Sequence, residues 1–142
     1  MAAEDDVRGT SERFYRALDA MANGDASGFD DVWSHSDDVT AMHPIGGRDD
    51  GWQAVSGSFG GVASLASSGT VKLADRKVVT GEDLAYETGT ERGEVTVAGE
   101  RILIEQRVTN VYRLEDGGWH LVHHHADLSP AMVALLQRLQ AA

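Results

Sequence analysis

The sequence contains no cysteine and only two prolines among 142 residues. The absence of cysteine excludes disulfide bridges, thiolate metal ligands and cysteine nucleophiles. Basic residues are also scarce, because 12 lysines and arginines stand against 23 aspartates and glutamates, for a formal net charge of −11. A surface with this charge repels phosphate backbones and anionic membranes, so we expect neither nucleic acid nor a membrane as a partner.

Long hydrophobic runs are absent as well, since no segment approaches the roughly 20 apolar residues that span a bilayer. The segment from Met1 to Asp6 is acidic where a secretion signal is basic, which predicts a cytoplasmic protein. The remaining composition, with 42% hydrophobic and 25% charged residues, is typical of a globular protein. A chain of this length buries roughly two-thirds of its unfolded surface, so we expect one domain over residues 1–142.

Helical patterns dominate the first half of the chain. Val7, Phe14, Leu18 and Ala22 recur at helical spacing, and Asn23-Gly24 predicts the end of this first helix. A short second helix is expected around Phe29, Val32 and Trp33, a strand over 39–43, and a third helix over about 51–59. At the C-terminal end, Ser129-Pro130 predicts the start of an amphipathic helix.

Strand patterns dominate the second half. Four segments are rich in β-branched and aromatic residues and are separated by glycine-containing turns: 71–79, 84–92, 102–112 and 119–125. Helices first and strands later, with one early strand, predict an α+β fold in which the helices cover one face of a mostly antiparallel sheet.

The turn between the last two strands determines which side chains share a face. A three-residue loop pairs Leu114 with Gly118, which places Asn110 opposite Val122 and puts His124 on the inner face with Asn110. Trp119, Leu121, His123 and His125 then face outward, and the two exposed apolar side chains predict a homodimer through the convex face of the sheet. A two-residue Asp-Gly turn is the alternative, and it brings His123 and His125 into the cavity instead.

Three segments resemble the nuclear-transport-factor-2-like superfamily, which includes ketosteroid isomerases, SnoaL-like polyketide cyclases and the association domains of calmodulin-dependent kinases. The segments are Phe14–Asp25, Asp37–Gly47 and Arg107–Asp127. The resemblance implies a cone-shaped, curved sheet of mixed, mostly antiparallel strands, covered by N-terminal helices and completed by a C-terminal helix. Because this superfamily includes both enzymes and binding modules, function has to be argued from individual residues.

His43 and Asn110 are the catalytic candidates that the resemblance implies. His43 precedes Pro44-Ile45-Gly46, at the position of the isomerases' proton-transferring carboxylate, and an imidazole with an ordinary pKa of about 6.5 suits the same task. Asn110 stands where the isomerases have a second carboxylic acid, and its amide N–H is a donor for a developing oxyanion.

Further residues are expected to contact a ligand. Tyr15 resembles the catalytic tyrosine of the isomerases on the first helix, and the resemblance places Tyr86 on the inner face together with Leu84, Thr88 and Thr90. The other predicted ligand-binding residues are Trp33, Trp52, Val122 and His124. The three consecutive histidines 123–125 point alternately to opposite faces of a strand, so at most two converge, and we expect no metal and no cofactor.

These residues are consistent with two functions. The first is a cofactor-independent isomerase, cyclase or dehydratase that uses His43 for proton transfer on a small hydrophobic carbonyl compound. The alternative is a non-catalytic dimeric module that binds or senses a small ligand, which the absence of both isomerase carboxylates favours. A third reading, a protein interaction domain built on the convex sheet, requires an apolar surface patch.

Overall fold

The computed structural model describes residues 2–141. In chain order the elements are α1 (Ala2–Ala22), a 3-10 turn (Ser27–Phe29), β1 (Thr40–Met42), β2 (Asp49–Asp50), α2 (Trp52–Leu65), β3 (Ala66–Thr80), β4 (Leu84–Val97), β5 (Glu100–Glu115), β6 (Gly118–Ala126) and α3 (Pro130–Ala141). The strands form one curved six-stranded sheet in the order β2-β1-β6-β5-β4-β3. All neighbours are antiparallel except β1 and β6, which confirms the predicted α+β class.

Helix α1 packs on the concave face of the sheet, mainly against β3. Val7, Phe14 and Leu18 are buried there, as their helical spacing predicts. The helix ends where predicted, because Gly24 takes a φ of +94° and donates its N–H to the Met21 carbonyl oxygen at 3.0 Å. Within residues 2–141, no helix is long and apolar enough to cross a bilayer.

The prediction of a short second helix around Phe29, Val32 and Trp33 is wrong, and the third helix is longer than predicted. Only the turn Ser27–Phe29 is helical in the first region, where Trp33 instead bridges to Leu121 of β6. Helix α2 continues to Leu65 despite three glycines, each of which costs roughly 1 kcal/mol in a helix. Its buried stripe explains this, because Phe59 stacks on Phe29 with ring centroids 4.1 Å apart.

The last hairpin differs from the predicted three-residue loop. Asp116 and Gly117, with φ values of 50° and 80°, form a two-residue turn in which Glu115 pairs with Gly118. A β-bulge then interrupts the ladder at Val122, so Asn110 pairs with His124 and not with Val122. The two-residue turn alone would bring His123 to the inner face, and the extra residue of the bulge returns His124 to that face. Asn110 and His124 therefore share the inner face, as predicted, for a different reason.

The same bulge overturns the predicted outward face of β6. Trp119 and Leu121 lie in the core, with exposed fractions of 6% and 0%, so the argument for a homodimer from these two side chains is wrong. The alternative prediction, in which a two-residue turn brings His123 and His125 into the cavity, is also wrong. Both histidines remain on the outer face of the sheet. His123 Nδ1 lies 2.7 Å from Thr40 Oγ1 on the neighbouring strand β1.

The predicted inner face of β4 is wrong as well. Glu87 and Glu91 point inward and are buried, whereas Tyr86 is 43% exposed on the outer face. Period-two alternation identifies two faces of a strand but not which one is buried. Here the buried face carries the charged residues, because polar partners on α1 and β5 satisfy them.

Candidate functional site

A cavity of about 90 Å³ lies between the concave face of the sheet and helices α1, α2 and α3. Its wall is mainly apolar, and the polar side chains that line it are His43, Ser58, Glu91, Gln106, His124 and Ser129. The space accommodates several waters but is below the roughly 300 Å³ of sites for drug-sized ligands. In this conformation the cavity therefore suits a small molecule.

His43 and Asp49 form a hydrogen-bonded pair at the wall of this cavity. His43 follows β1, and the pairing of Ala41 with Asp49 brings the two side chains together, with His43 Nε2 2.9 Å from Asp49 Oδ2. Ser58 of α2 donates its hydroxyl to the same carboxylate oxygen. Because a carboxylate only accepts, Nε2 carries the hydrogen and Nδ1 is left with a lone pair. Burial lowers the pKa of His43, and the charge of Asp49 opposes that shift.

His124 presents a second imidazole to the cavity, with its ring centroid 6.4 Å from that of His43. Its Nδ1 lies 2.6 Å from Asn110 Oδ1, which is an acceptor, so Nδ1 carries the hydrogen and Nε2 has the lone pair. Burial, followed by the neighbouring histidines, lowers the pKa of His124 to about 3. His124 is therefore a neutral hydrogen-bond acceptor at neutral pH.

Asn110 is fully buried behind His124 and does not line the cavity. Its amide nitrogen donates to Tyr15 Oη at 3.1 Å and to Glu87 Oε1 at 2.9 Å. The reverse orientation of the amide would face its oxygen toward the Glu87 carboxylate, so the network fixes this one. With its oxygen and both amide hydrogens engaged by protein groups, Asn110 holds its neighbours in place and has no free donor for a ligand.

Glu91 is a cavity residue that the sequence did not reveal. It is 3% exposed, and its carboxyl oxygens accept hydrogen bonds from Tyr15 Oη at 2.8 Å and from Gln106 Nε2 at 2.9 Å. Burial raises its pKa to about 7, against the lowering effect of these two hydrogen bonds, and the charge of Glu87 adds to the rise. Glu91 thus titrates near neutral pH inside the cavity wall.

Glu87 lies deeper than Glu91 and serves a structural purpose. Its carboxylate is 3.0 Å from Arg76 Nε and accepts a hydrogen bond from Tyr112 Oη at 2.7 Å. It does not line the cavity. The two glutamates, four residues apart on one face of β4, therefore have different surroundings, because one has a cationic partner and the other has only neutral donors.

The predicted site residues separate into three groups. His43 and His124 line the cavity, while Tyr15 and Asn110 stand behind it and connect His124 to Glu91. The other predicted ligand contacts lie elsewhere: Trp33 and Val122 in the core, Trp52 stacked on His35 at 4.5 Å, and Tyr86 on the outer face.

Asp49 had a weak signal in the sequence, since it follows His43 across a Pro-Ile-Gly-Gly turn that returns the chain to β1. Glu91 had none, because its position in an alternating strand does not distinguish a buried carboxyl group from a solvated one. Among residues 2–141, no group of three or more histidine or acidic side chains is placed to hold a metal ion.

The family model of the SnoaL-like domain matches residues 10–132. The chain belongs to the SnoaL-like domain family. Solved structures of the wider nuclear-transport-factor-2-like superfamily support the assignment of this SnoaL-like domain. A superfamily protein from Salmonella enterica serovar Typhimurium superposes with a TM-score of 0.79 at 18% identity, covering 89% of this chain and 90% of its own.

Two other structures show the range of proteins with this fold. A Streptomyces avermitilis protein provisionally described as a dehydratase has a TM-score of 0.76 at 24% identity and covers 89% of this chain and 95% of its own. The association domain of calcium/calmodulin-dependent protein kinase II from C. elegans has a TM-score of 0.64 at 20% identity, with coverage of 89% and 95%. No curated protein matches the sequence of this SnoaL-like domain. At these identities the structures show the shared fold alone.

Proposed function

We propose that this SnoaL-like domain is a cofactor-independent enzyme, an isomerase, cyclase or dehydratase, that moves a proton on a small hydrophobic carbonyl compound. The observation that carries the proposal is the His43–Asp49 pair at the wall of a mainly apolar cavity, because a ring held by Asp49 through Nε2 keeps a lone pair on Nδ1. The Streptomyces relative provisionally described as a dehydratase is compatible with this class of reaction.

The chemistry of His43 fits a general base. An imidazole with a lowered pKa is unprotonated at neutral pH and is ready to accept a proton. Asp49 holds the ring in one orientation and stabilises the imidazolium that forms, as a buried carboxylate does behind a catalytic histidine. The mainly apolar wall is a surrounding of low dielectric constant, which strengthens each electrostatic contact with the reacting group.

His124 and Asn110 have positioning roles in this proposal. The amide oxygen of Asn110 keeps the hydrogen of His124 on Nδ1, so that Nε2 accepts a hydrogen bond from a hydroxyl group of the ligand. Asn110 was predicted to donate directly to an oxyanion. In this proposal it acts through His124 instead.

Exchange of α-hydrogens provides a test that needs no natural substrate. We expect the protein to catalyse the replacement of α-hydrogens of cyclopentanone or cyclohexanone by deuterium in D₂O, followed by proton NMR. His43→Gln should lower the rate by roughly 10²- to 10⁴-fold, the usual contribution of a general base. His125→Gln, which changes an exposed histidine of the outer face, is the matched control and should leave the rate unchanged.

Exchange at an equal rate in the wild type and in His43→Gln would contradict the proposal. If Asp49→Asn also slows exchange, Asp49 acts through the orientation of His43. The variants are compared by circular dichroism, so that loss of fold is separated from loss of the base.

A non-catalytic binding or sensing module remains the second candidate. The observation that favours it is the complete internal pairing of Asn110, which occupies the position of a catalytic acid in the isomerases. Native mass spectrometry of protein from its own host distinguishes the two functions. A stoichiometric small ligand recovered unaltered, together with no α-hydrogen exchange, supports binding alone, and a converted ligand excludes it.

We also propose that the domain forms a homodimer through the outer face of the sheet. The supporting residues are exposed apolar side chains of β3 and β4. Val79 pairs with Tyr86 across these strands, and both are exposed beside Leu84. Tyr86→Lys should shift the molecular mass measured by light scattering to that of a monomer. Leu128→Lys, at an exposed apolar residue outside the sheet, is the control. A wild-type monomer at micromolar concentration would refute the proposal.

A further inference from the structure

Glu91 is the buried group that the His43 mechanism leaves unused. A carboxyl group in an apolar wall is costly unless a cation or several donors compensate it. Glu87, four residues away on β4, has Arg76 at 3.0 Å, whereas the hydrogen-bond partners of Glu91 are the neutral groups of Tyr15 and Gln106. The cavity is the other neighbour of Glu91. This contrast marks Glu91 as a group placed to exchange a proton.

A directed chain of hydrogen bonds ends on Glu91. His124 Nδ1–H donates to Asn110, the Asn110 amide donates to Tyr15, and the Tyr15 hydroxyl donates to Glu91 Oε2. An amide does not readily pass a proton along such a chain, so the chain fixes orientation and does not conduct. Each carboxyl oxygen of Glu91 has two lone pairs, of which the protein uses one, and the second is left for a proton or a ligand.

We propose that Glu91 is the second catalytic acid–base residue of this site, which gives its proton to the carbonyl oxygen of a small uncharged ketone while His43 takes a proton from the adjacent carbon. This inference rests on the proposed function, because it needs His43 as the base. It adds a residue that the resemblance did not point to, and it narrows the substrate to a neutral compound.

The proposed step balances without a cofactor. The α-carbon–hydrogen bond breaks, its proton forms an N–H bond at His43 Nδ1, and its electron pair becomes the carbon–carbon double bond of the enol. The carbon–oxygen π pair moves onto the carbonyl oxygen, which takes the Glu91 proton, and the Glu91 carboxylate that results accepts the hydrogen bonds from Tyr15 and Gln106. In the reverse direction Glu91 recovers its proton, and His43 returns one to the α-carbon or, in the dienol formed from an enone, to the γ-carbon. The net change is an isomerisation or an α-hydrogen exchange.

The surroundings of Glu91 set its protonation. Tyr15 of α1 and Gln106 of β5 face it with neutral donors, Glu87 of β4 contributes a negative charge, and His43 and His124 line the same cavity. Burial of its own carboxyl group, opposed by the two hydrogen bonds, raises the pKa of Glu91 to about 7, so both forms of the carboxyl group are populated at neutral pH. Two titratable groups with different surroundings in one cavity are the usual arrangement of an acid and a base.

The charge of the wall limits the substrate. Neither lysine nor arginine is among the residues that line the cavity within the described chain, and an ionised Glu91 repels an anion. A carboxylate or phosphate on the substrate would therefore lack a counter-charge. The remaining class is a small uncharged ketone or enone with an apolar body.

The test is the pH dependence of cyclohexanone exchange in the wild type, Glu91→Gln and His43→Gln. Glutamine keeps the shape and a donor but cannot deliver a proton, so we expect kcat to fall roughly 10²- to 10⁴-fold with KM changed only a few-fold. The limb of the pH profile near neutral pH should disappear in Glu91→Gln. Glu105→Gln, which alters an exposed glutamate on the neighbouring strand β5, should match the wild type.

The outcomes separate the inference from the proposed function. Wild-type rate and profile in Glu91→Gln, with exchange lost in His43→Gln, would overturn the role of Glu91 and leave the base in place. Absence of wild-type exchange would overturn both. Infrared difference spectra supply a readout without turnover: a protonated carboxyl band that titrates near neutral pH should be present in the wild type and absent in Glu91→Gln. A wild type without this band would also overturn the inference.

Discussion

Replacement of Glu91 by glutamine should change the pH dependence of stability in a direction set by its burial. In the folded protein the pKa of Glu91 is raised from 4.5 to about 7, mainly by burial. Each pH unit between the two values is worth ~1.4 kcal/mol. The gap therefore corresponds to about 3 kcal/mol of folding free energy, a large share of the 5–15 kcal/mol typical of a domain.

The sign follows from proton binding. Between pH 4.5 and about 7 the folded state keeps a proton on Glu91 that the unfolded chain has released. Stability contributed by this group is thus fully present below pH 4.5 and is lost as the pH rises through about 7. His124 acts in the opposite direction, because its pKa is lowered to about 3 and stability falls as the pH drops below 6.5. Only the difference between variant and wild type isolates Glu91.

Urea unfolding at a series of pH values measures this difference. The free energy of unfolding of the wild type, relative to Glu91→Gln, should decrease by about 3 kcal/mol between about pH 4 and pH 8. Glu105→Gln is the control, and its curve should run parallel to that of the wild type, because this glutamate is exposed. A difference that stays constant with pH, or that grows as the pH rises, would refute the buried titration.

Three further predictions concern two buried polar contacts and one close approach between strands. Tyr15→Phe removes a donor to Glu91, so it should lower the free energy of unfolding in urea by about 1–3 kcal/mol and raise the pKa of Glu91. An unchanged pKa in an infrared titration would contradict the contact. Arg76→Met leaves the buried Glu87 without its cation and should lower the free energy of unfolding by about 3–5 kcal/mol. Adding Glu87→Gln should restore part of that loss, and equal stability of the single and double variants would argue against the ion pair. Gly93→Ala should prevent stable folding, as judged by circular dichroism, because its Cβ would lie 1.9 Å from a carbonyl oxygen of β3; a cooperative, wild-type melt would disprove the close approach.

Much of the fold was predictable because it depends on local patterns. The first helix and its end at Gly24 follow from apolar spacing and a residue that tolerates positive φ. The strands β3 to β6 follow from β-branched and aromatic residues between turns. His43 was made a candidate by its place before Pro44, and in the structure it lies at the wall of the cavity.

The errors about strand faces have one physical origin, which is that strand alternation defines two faces without choosing between them. The bulge at Val122 reset the phase of β6, so the face of Trp119 and Leu121 was assigned incorrectly. On β4 the glutamates lie inside and Tyr86 outside, the reverse of what hydrophobicity favours. Both outcomes depend on neighbouring strands and helices, which a period of two residues does not describe.

By itself, the sequence determined the α+β class, the first and last helices, the strands other than β2 and the family resemblance, and it made His43 a candidate, because each depends on residues close together in the chain. The tertiary structure alone decided the partners of that histidine and of Glu91. Asp49, Tyr15 and Gln106 come from β2, α1 and β5, and sheet pairing and helix packing bring them to one cavity. Burial there, and not residue type, gives Glu91 a pKa near 7.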